Sequence, residues 1–443
     1  MNMIEQLFND FGAKHLEEAK KNGVDLGLQT VFTPIDKIEK ATGFRFADHI
    51  NKNTKSVGIL FNYEFLHYFI KELPQNYINN IKFTFFYDCE FDYKQVKNCI
   101  FFSGKKLNIE MIHIENIKDL DKVMTGKKFD IVFSNPPYST KLYVDIDIKI
   151  LNSILKIANE TIFIMPSMTY IMKYFNHDSI KSLKHEFYQN VNNYLTSFII
   201  INNDVFCGDC ATDQNLCITK FDKNKSTPKI KYYDAIANVS KTLNSINELT
   251  HYSSFDNKSC NTLLQMKEKI DSWLLKQETF ADHFLGSCLQ VAEKIEKGKI
   301  KIDLRNTFWM TGANGGGTIY KNNDGSLNKN FGIINAGTKE HFENNILFKK
   351  DVKTLKELGK NRMLFFGNTD KEITQNWNFA VFSPIVKLIF FYYRSSRCWN
   401  WNIIPWFNTN KSFIDLCKEI NFSNEEIEFI KDFFKDIKPI SWE

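Results

Sequence analysis

The runs Ser56 to Phe61 (SVGILF), Lys82 to Tyr87 (KFTFFY), Glu110 to Ile114 (EMIHI), Phe129 to Phe133 (FDIVF) and Thr161 to Met165 (TIFIM) are apolar along nearly their whole length. Between them, segments such as Tyr63 to Leu73 and Val144 to Ala158 carry apolar residues at helical spacing. Strands that alternate with polar residues have one wet face, whereas strands this apolar are buried on both. The pattern therefore predicts an α/β fold with a mainly parallel sheet covered by helices on both faces. Leu195 to Asn202 (LTSFIIIN) and Asn215 to Phe221 (NLCITKF) read as later, hairpin-like strands that close such a sheet.

The pattern breaks at Lys223 to Pro228 (KNKSTP), a polar, turn-forming stretch, and a boundary is expected between about 225 and 265. Beyond it a helix is expected from about Asn261 to Lys276, a glycine-rich loop at Thr311 to Gly317, a strand-like run at Phe379 to Tyr393, and a surface helix from Asn424 to Phe434. At 443 residues the chain is too long for one ordinary core and suits two domains. The start, MNMIEQLFNDFGAKHLEEAKKNG, reads as an amphipathic helix over residues 1–20 and lacks the apolar core of a signal peptide. No run approaches the roughly 18 apolar residues of a membrane span. Nine scattered cysteines fit free thiols in a reducing cytosol. Cys207 and Cys210 have no second pair at zinc-ribbon spacing, so no metal is expected.

Charge and aromatic content constrain partners only weakly. The net charge of +5 permits nucleic-acid contact without demanding it. Aromatics make up 15%, but Phe, Tyr, Lys, Asn and Ile are also the residues that an AT-rich genome favours. Aromatic content alone is therefore no argument for base stacking.

The chemistry-bearing motif is FDIVFSNPPY, where a buried strand runs directly into Asn135-Pro136-Pro137-Tyr138. In an open parallel sheet, ligands bind at the carboxyl ends of strands, which is where this tetrapeptide falls. Two prolines fix φ and remove two backbone donors, leaving a rigid turn that presents acceptors. The Asn135 side-chain oxygen and the Pro136 carbonyl suit the hydrogens of one exocyclic amine. Two acceptors on one amine localise its lone pair for in-line attack on a methyl sulfonium. Tyr138 supplies a flat face for a base turned out of its stack.

With these residues the sequence resembles the S-adenosylmethionine-dependent amino-methyltransferases, and most closely the N6-adenine DNA methyltransferases of restriction–modification systems and phages. The resemblance extends to Val31-Phe32-Thr33-Pro34, like the family's N-terminal cofactor segment, and to Glu160 to Phe175, like the strand-Pro-helix after the catalytic loop. Asp204-Val205-Phe206 followed by NLCITKF looks like the strand pair that brings a second aromatic ring, Phe206, opposite Tyr138. Ile404-Pro405-Trp406 and Ser423 to Pro439 are similar to the family's ending, and the segment order matches the gamma-type arrangement.

The resemblance implies a Rossmann-like methyltransferase domain over 21–225, a linker over 226–264, and a mixed α+β target-recognition region over 265–443. It implies S-adenosylmethionine as cofactor, double-stranded DNA as partner, a cognate restriction endonuclease as a second one, and a bacterial or phage setting. Phe32, Thr33, Pro34, Asn62, Glu64 and Asn135 are the expected cofactor contacts, with Asp88 or Glu90 on the ribose and Glu115 or Asp119 at the adenine. Arg394, Arg397 and Trp399, with Trp401, combine cations and flat rings as DNA contacts do, or form a core edge. No Pro-Asp…Glu-x-Lys nuclease pattern stands out.

One departure is clear. The family carries Gly-x-Gly after its first strand, because glycine lets the backbone approach the cofactor. Here that stretch reads GILFNYEF, Gly58 to Phe65, and no Gly-x-Gly pair occurs ahead of Phe129. The remaining alternatives are an amino-methyltransferase acting on cytosine N4, RNA or protein glutamine, and a non-catalytic binding module on the same fold.

Overall fold

The computed structural model describes residues 21–23, 32–138, 145–171, 183–206, 215–225, 229–250, 253, 255, 257–302, 304, 307–311, 352–360, 362–393, 404–406, 411–435 and 441. They fall into two compact units, Met1–Thr250 and His251–Glu443. The expected N-terminal helix over 1–20, Cys207 and Cys210, the loop after Thr311, and Arg394, Arg397, Trp399 and Trp401 lie outside the described residues.

The first unit is a nine-stranded sheet in the order β3-β2-β1-β4-β5-β7-β6-β8-β9. The strands are β1 (Ser56–Leu60), β2 (Lys82–Tyr87), β3 (Asn108–His113), β4 (Phe129–Ser134), β5 (Ala158–Pro166), β6 (Leu195–Ile201), β7 (Leu216–Asp222), β8 (Ile230–Asp234) and β9 (Val239–Leu243). β1 to β5 run parallel to one another. β7 is antiparallel to both β5 and β6. This is a Rossmann-like α/β fold. The chain starts in the middle of the sheet, winds out to β3 and returns to β4 beside β1. The carboxyl ends of β1 and β4 therefore flank a topological switch point, where crossovers diverge to opposite sides and leave a crevice.

Helices α1 (Ile35–Thr42), α2 (Tyr63–Glu72), α3 (Glu90–Ser103), α4 (Ile146–Ile157) and α5 (Leu183–Tyr194) accompany the sheet. α2 packs on α3, and α4 on α5. One face of the sheet buries Val57, Ile59, Phe83, Phe85, Ile131, Phe133, Ile162 and Ile164 in a single apolar cluster with Phe65, Leu66 and Phe69 of α2. Burying such a side chain stabilises by about 1.5–3 kcal/mol each. Gly58 is required in β1 by proximity: a Cβ built on it would lie 2.9 Å from Val132 Cγ2 on the neighbouring strand.

The span 226–264, read from sequence as a linker, carries β8, β9 and the first turns of helix α6 (Asn257–Leu274). β8 alternates buried Ile230, Tyr232 and Asp234 with more exposed Lys231 and Tyr233, the period-two signature of a strand. The polar break at Lys223 to Pro228 thus falls between two strands of one sheet.

The second unit holds α6, a three-stranded antiparallel sheet and a set of helices. The sheet order is β10-β12-β11, with β10 (Phe284–Ser287), β11 (Thr307–Thr311) and β12 (Arg362–Phe366). The helices are α7 (Cys288–Glu296), α8 (Val352–Leu358), α9 (Asp370–Phe382), α10 (Pro384–Tyr393), α11 (Phe413–Glu419) and α12 (Asn424–Phe433). The run Phe379 to Tyr393, expected as a strand, is the end of α9 followed by α10. Ile385, Val386, Lys387, Leu388 and Ile389 are all buried, so no polar side betrays the helical period. Pro384 stands at the first helical position, where its missing N–H costs nothing. α12 begins with the capping box Ser423–Glu426, matching the expected surface helix. Among the described residues no helix is long and apolar enough to cross a membrane.

Overpacking a well-filled sheet typically costs about 1–3 kcal/mol. Gly58→Ala is therefore expected to lower the urea midpoint of unfolding by a corresponding amount, because Val132 faces it from a neighbouring strand. An unchanged midpoint would show that β1 and β4 separate freely.

Candidate active site at the carboxyl ends of β1 and β4

β1 ends at Leu60, and Phe61 then adopts φ 62°, in the left-handed region. Its N–H donates to Phe86 O at 2.9 Å, pinning the turn to β2. A side chain in this conformation costs about 1–2 kcal/mol, a penalty glycine escapes. Phe61 is wholly buried, and burial offsets the cost. The turn for which glycines were expected is therefore made without one.

That turn delivers Asn62 to the end of β4. Asn62 Oδ1 accepts from the Asn135 backbone N–H at 2.7 Å. Asn62 Nδ2 donates to Thr33 Oγ1 at 3.4 Å, and Asn135 Nδ2 donates to the same hydroxyl at 3.0 Å. Asn135 Oδ1 is thereby turned the other way, where the Tyr138 hydroxyl donates to it at 2.8 Å. The Thr33 N–H donates to Glu64 Oε1 at 3.1 Å. Thr33, Asn62, Glu64, Asn135 and Pro136 are buried, while Pro137 and Tyr138 are half-buried. Residues from three distant stretches of sequence are thus joined in one polar network.

A cavity of about 550 Å³ adjoins this network. Phe32, Thr33, Pro34 and Glu64 line it, with His67 and Lys71 one and two turns along α2. Asn135 and Tyr138 do not line it; Asn135 meets it through the Thr33 hydroxyl. α1, which follows Pro34, packs against β6 and the turn Asn203–Phe206. Phe206 lies inside the apolar cluster that Tyr138 borders and is almost fully buried.

On the β2 side, Asp88 follows the strand and Cys89 precedes α3. Asp88, Cys89 and Asp92 bring one oxygen or sulfur each to within 4.8 Å of one another. Asp92 is 1% exposed, and burial pushes its pKa up to about 9, with the charges of Glu64 and Asp88 adding to the effect. Burial likewise raises the Cys89 thiol to about 12, so it stays protonated. The Tyr63 hydroxyl is driven well above its ordinary value by burial, then by Glu64 and Asp92. Tyr63 Oη, Asp92 Oδ2 and Gln95 Oε1 are buried and have no hydrogen-bond partner among the described residues. Buried polar atoms left in this way call for a partner such as water, an ion or a ligand.

Glu90 is exposed and sits 3.7 Å from Lys94, and Glu115 and Asp119 are exposed. Sequence reasoning missed Asp92 and Gln95. The signal was present: Phe91, Asp92, Gln95, Val96 and Cys99 form one buried face of α3 at helical spacing.

The raised pKa of Asp92 makes stability depend on pH. Between 3.8 and about 9 the folded chain keeps a proton that the unfolded chain releases. The associated stability is complete below the lower value and is lost as pH rises toward the upper one. Asp92→Asn should therefore gain on the wild type with rising pH, by up to ~1.4 kcal/mol per pH unit. Urea midpoints at acid and mildly alkaline pH measure this; a constant difference would mean Asp92 is ionised throughout.

No protein-family model matches the chain, and no curated protein does. Solved structures do. One is the type I restriction-modification methyltransferase subunit from Streptococcus thermophilus, 13% identical over 48% of this chain and 49% of its own, with a TM-score of 0.36. A modification subunit of a putative type I restriction enzyme from Vibrio vulnificus is 14% identical over 53% of each chain, with a TM-score of 0.39. A putative class I S-adenosylmethionine-dependent methyltransferase from Listeria monocytogenes is 11% identical over 54% of this chain and 76% of its own, at 0.35. The chain spans about half the length of the first two.

Proposed function

We propose that this chain transfers a methyl group from S-adenosylmethionine to N6 of an adenine turned out of double-stranded DNA. The observation that carries the reading is Asn135 at the carboxyl end of β4, its backbone N–H held by Asn62 and its side-chain NH2 by Thr33, with the side-chain oxygen facing Tyr138. An exocyclic amine needs acceptors, and the Asn135 oxygen beside the Pro136 carbonyl supplies them on a proline-stiffened turn. In the structure the Tyr138 hydroxyl takes that oxygen. Base entry exchanges this bond for one from the amine and leaves the tyrosine ring as a stacking face. Phe206 is the partner proposed for the opposite face.

The acidic end of the crevice fits the cofactor. The unpartnered acceptors Asp92 Oδ2 and Gln95 Oε1 suit hydroxyl donors, and Asp88 stands beside them. Asp88 and Asp92 would hold the ribose, and Glu64 the amino group. When bound, S-adenosylmethionine supplies an electrophilic methyl on a positively charged sulfur. Thr33, through its N–H, keeps the Glu64 carboxylate in place. Asn135 would then hold the amine hydrogens while the nitrogen takes the methyl from sulfur, which leaves as a neutral thioether, and one amine proton would pass to water, a task of positioning and electrostatics. Target recognition is assigned to the second unit, with Arg394, Arg397 and Trp399 as DNA contacts, and a cognate restriction endonuclease as a further partner.

Purified protein incubated with radiolabelled S-adenosylmethionine and mixed-sequence DNA should yield labelled N6-methyladenine on nucleoside analysis. Asn135→Ala should lower kcat by about 10²–10³-fold, as loss of a transition-state hydrogen-bonding group does. Tyr138→Phe should stay near wild type, whereas Tyr138→Ala loses stacking worth about 1–3 kcal/mol. Label in cytosine, RNA or protein would change the acceptor. Tight DNA binding without label or cofactor affinity would make the chain a binding module instead.

A further inference from the structure

We infer that Thr33 is a positioning residue whose hydroxyl decides which end of the Asn135 amide faces the substrate amine. The orientation of the amide is a matter of hydrogen bonds alone; only its catalytic consequence rests on the methyl-transfer reading above.

The Asn135 backbone N–H has no choice but to donate. Its partner at 2.7 Å is Asn62 Oδ1, so the Asn62 amide presents oxygen to the β4 end and its NH2 group to Thr33 Oγ1. The Thr33 oxygen therefore already receives one donor. It has a second lone pair, and Asn135 Nδ2 occupies that at 3.0 Å. Both asparagines end on one hydroxyl, carried by a residue that is 0% exposed. With its NH2 end turned to Thr33, Asn135 presents its oxygen at Tyr138. A reversed amide would confront an exocyclic amine with further N–H donors, and donor against donor does not bind. The polarity of the acceptor is thus written by a residue 102 positions earlier in the chain.

Thr33→Val keeps the shape and removes the acceptor; Thr33→Ser keeps the acceptor and removes a methyl. The full-length chain carrying Val should lose about 10–100-fold in kcat, the scale of a misplaced catalytic group, with KM for DNA moving less than about 3-fold. Ser should restore kcat to within about 3-fold of wild type by the same measure of geometry. A second readout needs no turnover. With ¹⁵N-labelled asparagine, the side-chain amide signal that vanishes in Asn135→Ser should shift and exchange faster with solvent in the Val variant, and return in the Ser variant. An unmoved signal, a Val variant with wild-type kcat, or a Ser variant no better than Val would each overturn the inference. A wild-type protein that methylates nothing would sink the methyl-transfer reading instead, and the amide signal would still decide the role of Thr33.

Discussion

The hydrogen bond from the Asn135 N–H to Asn62 Oδ1 ties together the two strand ends between which the sheet changes direction. Everything at the site depends on it. β1 and β4 are neighbours in parallel register, Leu60 opposite Ser134, and both crossovers leave from the same edge. Without a link there, two loops diverging to opposite faces of the sheet would set their own positions. With it, the start of α2 and the proline turn after β4 move as one body. Ser134 Oγ, donating to Leu60 O at 3.3 Å, adds a second tie one residue earlier.

Burying this much polarity is favourable only if each group is matched, because an unpaired buried donor or acceptor costs about 1–3 kcal/mol. The network satisfies that condition along Asn62, Thr33, Asn135 and Tyr138. A few residues away, around Asp92, it does not: Asp92 Oδ2, Gln95 Oε1 and Tyr63 Oη lack partners. The contrast divides the crevice into a part that is complete by itself and a part that is not. The completed part holds a shape. The incomplete part, crowded with Glu64, Asp88 and Asp92, raises the cost of negative charge until Asp92 keeps its proton. A positively charged, hydroxyl-bearing ligand would relieve both defects.

Much of the sheet was legible because its strands are apolar on both faces, and a run such as KFTFFY is short for a buried helix and right for a buried strand. Asn135 was legible for the same reason: it follows Phe133, the last apolar residue of β4, by two positions. α10 was not, since Ile385 to Ile389 are buried without a break and the run PIVKLIFFYY shows neither helical nor strand periodicity. The two-strand extension at β8 and β9 was masked by the polar run before it. At the site, Thr33, Asn62 and Glu64 were expected individually as cofactor contacts. That they bond to one another and to the proline turn is a property of the tertiary fold, absent from any local pattern.

Phe61 shows how a local rule is overridden. Glycine is expected where the backbone must turn left-handed after β1, and the turn is there without the glycine. Phe61 remains in that conformation because both its ends are fixed, one by the bond to Phe86 O and the other by Asn62, whose side chain is committed to Asn135 and Thr33. Replacing the phenylalanine by glycine would relax the backbone but empty a buried volume, and burial of a ring outweighs a conformational cost of about 1–2 kcal/mol. The geometry that glycine ordinarily permits is here imposed by packing and by the asparagine beyond it.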